Sequence, residues 1–204
     1  MGIEDEFPSN SQVEINLNKV QQAYQCLENI DQTFKNIFDL VIFNILVTNL
    51  VSVAGSCSTP YALGIIWVQP NNDWTQQDIV EALIHEFTHS VLFLDEQRYQ
   101  HYVDIKSLTK ESNWIPSAIR NENRPLNAVA HSILVATELL SFRQKFGLRN
   151  TGVGLHGDSD ELLRKTLAAI SQSQINADIW NLLSPRMKFL INLADTRLSI
   201  VKQL

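Results

Sequence analysis

Leu83-Ile84-His85-Glu86-Phe87-Thr88-His89-Ser90 is the stretch from which the rest of the chain is best read. His85 and His89 stand four positions apart inside a segment, Asp78 to Leu94, that is patterned as a helix. Four residues are slightly more than one helical turn, so both imidazoles leave the same face and can grip one metal ion. Glu86 lies beside them, able to act as a general base or to orient a ligand. Ile79, Val80, Leu83, Ile84, Phe87, Val91 and Leu94 surround the motif, so this helix is expected to run through the core. Two histidines and a glutamate placed there cost desolvation free energy unless something binds them.

Composition narrows the classes. A chain of 204 residues with 45% hydrophobic and 19% charged side chains is expected to form one globular domain over 1–204, with its active core at 62–146. A net charge of −6 and an isoelectric point near 5.3 argue against a nucleic-acid partner, since no basic stretch offers phosphate neutralisation. The start, Met1-Gly2-Ile3-Glu4-Asp5-Glu6, is acidic where a signal peptide needs a basic region. Phe38 to Ala54 is the most apolar run, but Asn44 and Asn49 interrupt it, and no membrane span is expected. Cys26 and Cys57 match no metal spacing and no disulfide framework, which suits a reduced cytoplasm.

The pattern is mainly α. Ser11 to Ile30 carries Val13, Leu17, Val20, Tyr24 and Leu27 at helical period, and Asp31 to Val53 continues as one or two buried helices. Gly55 to Pro60 reads as loop, and Ala62 to Gln69 as a short strand ended by Pro70-Asn71-Asn72-Asp73. After Leu94 a long polar connection holds Tyr99, His101, Tyr102 and Trp114. Pro125 opens a helix that Gly147 stops near Phe146. Asp158 with Glu161 forms a capping box for a helix to about Ser173, and a last helix starts near Pro185. A strand, a loop and an HExxH helix in that order are similar to the local order in zincin-like metalloenzymes. The expected fold is a zincin-like helical domain with a short strand or small sheet before the HExxH helix.

Two histidines alone hold a catalytic ion weakly, and a usable site normally adds a third protein ligand and leaves open positions. Asp95 would serve an extended pattern that turns back at a glycine, but Leu92 stands at that position. If the helix continues, Asp95 lies about 9 Å beyond His89 along the axis, out of reach. His101 and His156 fall in loop-like stretches and are expected to face solvent. The segment Leu126 to Phe146 has a main apolar stripe of Leu126, Val129, Ala130, Ile133, Thr137 and Leu140. A second stripe on its flank is formed by His131, Val135, Glu138 and Phe142. His131 or Glu138 could complete the site.

LIHEFTHSVL, an aromatic-bearing spacer and IRNENRPLNAVAHSILVA together resemble the HExxH-type peptide β-hydroxylases of ribosomally made natural products. The resemblance spans Ala82 to about Phe146 and rests on HEF-x-H, on Arg120, Arg124, Pro125 and Leu126, and on His131; Ile119 stands where the family pattern has tryptophan. It implies an iron(II) and 2-oxoglutarate dependent dioxygenase acting on a peptide side chain. His85, His89 and His131 would hold the metal, Arg120 or Arg124 would hold a cosubstrate carboxylate, and Glu86 would orient a ligand. The competing expectation is a zinc peptidase of gluzincin type. There His85, His89 and Glu138 would bind Zn2+ and Glu86 would deprotonate the metal-bound water. A non-catalytic interaction module with the same helices is the third.

Overall fold

The computed structural model describes residues 10–48, 55–147 and 154–201. It is mainly helical with a small sheet, as the patterning predicts. The chain divides into two compact units, Met1–Ser90 and Val91–Leu204.

In the first unit, α1 (Asn10–Ile30) and α2 (Gln32–Val41) are separated by Asp31, whose carboxylate accepts from the backbone N–H groups of Thr33 and Phe34. This N-cap satisfies donors that the first helical turn leaves open. The buried stripe of α1 is Asn16, Val20, Ala23 and Leu27, whereas Leu17, expected inside, is half exposed. The helix expected to continue to Val53 ends at Val41. Ile42 turns extended, and β1 (Asn44–Val47) follows; residues 49–53 lie outside the described residues.

The correction at Gly55 to Pro60 matters more for the site. Gly55–Ser58 is a strand, β2, which pairs antiparallel with β3 (Ile65–Gln69), and β1 pairs parallel with β3 on its other edge. Gly-Ser-Cys-Ser has no strand propensity of its own, and the ladder to β3 supplies it. Gly64 enters β3 at φ +82°, where its carbonyl accepts from the N–H groups of Phe43 and Asn44.

Helix α3 (Gln76–Arg98) carries the HExxH motif and begins two residues before the expected start. Thr75 and Asp78 cap it reciprocally: Asp78 Oδ2 accepts from the Thr75 N–H and hydroxyl, and the Asp78 N–H reaches back to Thr75 Oγ1. Phe87 anchors this part of the helix in an aromatic cluster, with ring centroids 5.1 Å from Phe34 and 5.5 Å from Phe38.

In the second unit the stretch after Leu94 is more ordered than a connection. α3 runs on to Arg98, and α4 (Ile105–Leu108), a 3-10 turn and the hairpin β4 (Ile115–Pro116)–β5 (Asn123–Arg124) follow. Helix α5 (Leu126–Lys145) is packed by α6 (Ser159–Ile175), α8 (Pro185–Val201) and β4, which is why it is buried nearly all round. All six residues of its main predicted stripe are buried. Gly147, at φ +63°, stops it as expected. Asp158 caps α6 through the N–H groups of Asp160 and Glu161, while the Glu161 carboxylate turns to Arg164 and Lys165. A short α7 (Ala177–Leu182), capped by Asn176, precedes α8 and was not legible in the pattern.

Candidate metal centre

The i,i+4 spacing on α3 brings His85 Nε2 and His89 Nε2 to 3.1 Å. Two imidazoles bound to one ion at about 2.0–2.1 Å and separated in this way would subtend roughly 95–100° at the metal, between the octahedral and tetrahedral angles. Both rings are half buried, and 19% of the His85 side chain meets solvent. The helix's own hydroxyls are satisfied locally, Thr88 on the Ile84 carbonyl and Ser90 on the Glu86 carbonyl.

Glu86 is held by the strand that reads as loop in the sequence. Side chains alternate along a strand, so Ser56 and Ser58 leave the same face of β2. Ser56 Oγ donates to Glu86 Oε1 at 2.7 Å and Ser58 Oγ to Oε2 at 2.6 Å. With the residue only 2% exposed, burial pushes the Glu86 carboxyl above its ordinary range, and the two hydroxyls pull against that by stabilising the anion. Glu86 Oε1 lies 4.0 Å from His85 Nε2, too far for a direct bond.

Of the candidate third ligands, Glu138 has its carboxylate engaged by both guanidinium nitrogens of Arg197 on α8. His131 is buried on α5, its ring 5.4 Å from that of Phe93. Asp95 is excluded as the helix argument expects: α3 continues past it, and its carboxylate is held by Arg186 at 2.6 and 2.9 Å. Val91 and Leu94, expected in the core, are partly exposed.

His101 is the clear correction. Expected to face solvent, it is 1% exposed, and its Nε2 lies 2.8 Å from Asp95 Oδ2. The segment around it is fixed by backbone pairing, with an isolated bridge between Tyr102 and Leu183 and the Ser184 N–H on the His101 carbonyl. Glu96, His101 and His131 each present a ligand atom, and these lie within 4.8 Å of one another. His156 is half buried. Arg120 is exposed, and Arg124 pairs loosely with Glu122 at 3.7 Å, while Asp104 caps α4 instead of meeting an arginine.

No known protein family and no curated protein matches the chain. Among the described residues, no helix is long and apolar enough to cross a membrane.

Proposed function

We propose that this chain is a metal-dependent enzyme that holds a divalent ion on His85 and His89, and that it is an iron(II)/2-oxoglutarate oxygenase hydroxylating a peptide side chain. The observation that carries the reading is the 3.1 Å approach of the two imidazoles beside a buried, doubly hydrogen-bonded carboxylate. Iron would supply dioxygen activation when bound with the cosubstrate. The chain's own part is to fix the two imidazoles and to hold Glu86 oriented next to them through Ser56 and Ser58. Imidazole suits iron and zinc alike, so the ligands alone do not choose the ion.

Two features favour the oxygenase over the zinc peptidase. Glu86 spends a lone pair of each oxygen on a serine, which suits an orienting group better than a base that must reach water. Glu138, the peptidase's expected third ligand, is paired to Arg197. In this reading Arg124 takes a cosubstrate carboxylate; a loose surface pair such as that with Glu122 is worth about 0–1 kcal/mol and is readily exchanged. The test is anaerobic titration of the iron(II)-loaded chain with 2-oxoglutarate. Arg124→Ala should bind it roughly 30-fold more weakly, the effect of losing about 2 kcal/mol of charge-assisted contact. No binding to the wild type rejects the oxygenase, and equal binding to both rejects the role of Arg124.

A further inference from the structure

We infer that Glu96, His101 and His131 form a second divalent-metal site, in which His101 binds through Nδ1 and His131 belongs to this cluster instead of serving as third ligand to the His85–His89 pair. Three ligand atoms within 4.8 Å of one another define the cluster. Its composition, two imidazoles and one carboxylate, is the donor set that divalent zinc and non-haem iron take when they keep open positions.

The chemistry of His101 points the same way. Arg186 donates to both oxygens of Asp95, at 2.6 and 2.9 Å, so the carboxylate acts as the acceptor in its contact with His101. The proton on the shared bond therefore sits on His101 Nε2. In the neutral form, the one that binds metals, an imidazole with its proton on Nε2 has its lone pair on Nδ1. That atom is buried, and no hydrogen bond reaches it. A buried acceptor without a partner costs about 1–3 kcal/mol, and a cation at Nδ1 would remove the cost. A carboxylate that fixes the far nitrogen is also the arrangement that orients metal-bound histidines and raises their basicity.

The surroundings provide access. Glu96, Tyr99, His101, Tyr102 and Ile105 line a pocket of about 310 Å³. Tyr102 also lines this pocket, and its hydroxyl is likewise buried without a hydrogen-bond partner. The pairing of Tyr102 with Leu183 and of His101 with Ser184 fixes the backbone that carries both groups. The Asp95–Arg186 pair alone accounts for Nε2 but leaves Nδ1 unexplained.

The experiment is zinc binding to the chelator-dialysed full chain, measured by equilibrium dialysis with metal analysis, in a His89→Ala background that removes the HExxH pair. One zinc should remain in His89→Ala. Adding Glu96→Gln should weaken it by about 100-fold or more, and Asp95→Asn, which unseats the His101 tautomer, by about 10–100-fold. His101→Ala should abolish it. Because His101 is buried and its loss can disturb the fold, Glu96→Gln at a half-exposed position carries the decision, with circular dichroism confirming that it folds. Cobalt(II) adds a spectroscopic readout: a visible ligand-field band in His89→Ala that Glu96→Gln removes. Zinc affinity unchanged by Glu96→Gln, or no zinc bound in His89→Ala, overturns the second site. Full retention of the wild-type zinc count in His89→Ala instead overturns the HExxH reading and leaves this one standing.

Discussion

His85 Nε2 and His89 Nε2 face each other at 3.1 Å across one turn of α3. Two imidazole lone pairs at that distance repel, so the pair is satisfied by a proton shared between them or by a cation that both bind. A cation there would also stabilise the anionic form of the buried Glu86 carboxyl adjoining them, which burial alone disfavours.

The serines of β2 are the first place to test that arrangement. Ser58→Ala removes the hydroxyl nearest Glu86 Oε2. The carboxyl should then move further above its ordinary range, because one of the two bonds that stabilise its anion is gone. Metal affinity at the histidine pair should fall by about 10–100-fold, the usual effect of losing a group that orients the ligands. Zinc titration of Ser58→Ala reads this directly, and wild-type affinity in a folded Ser58→Ala would show that Glu86 is not coupled to the ion.

Glu138 separates the two enzyme readings. Its contact with Arg197 joins α5 to α8 at a site where each side chain is more than a third exposed. A double-mutant cycle on the pair should therefore give no more than about 1 kcal/mol of coupling. Glu138→Gln should leave the metal content unchanged. Loss of one ion in Glu138→Gln would restore the zinc peptidase.

On α6 the expectation concerns pH. Glu161 is held by Arg164 and Lys165, which lower its carboxyl from the ordinary 4.5 to about 2. A depressed folded value means that this contribution to stability is present above 4.5 and is lost as pH falls toward 2. The side chain is 44% exposed, so the effect on stability is small and the titration itself is the better readout. A carboxyl 13C titration of folded protein should place Glu161 well below 4.5; a midpoint at the ordinary value would contradict the pairing.

Helix positions were legible because their signals are local. The i,i+4 histidines, the α5 stripe closed by Gly147 and the Asp158 cap each depend on spacing within one segment. What was not legible depends on partners distant in sequence. Gly55–Ser58 becomes a strand because β3 offers it a ladder, and only then do Ser56 and Ser58 meet Glu86. His101 looks like a surface residue in a polar stretch. It is buried because Leu183 and Ser184 pair with its segment and because Arg186, 91 positions from Asp95, charges the carboxylate beside it. Its adjacency to Asp95, six residues upstream, was the one signal available.

The central claim is that His85 and His89 bind the ion of an iron(II)/2-oxoglutarate enzyme. The most direct measurement is anaerobic loading of the chelator-dialysed wild type and His89→Ala with iron(II), followed by 2-oxoglutarate, reading bound iron and the weak visible charge-transfer band of the cosubstrate complex. The account predicts the band in the wild type, and in His89→Ala the loss of both the band and one iron. The band and the full iron content persisting in His89→Ala would contradict it.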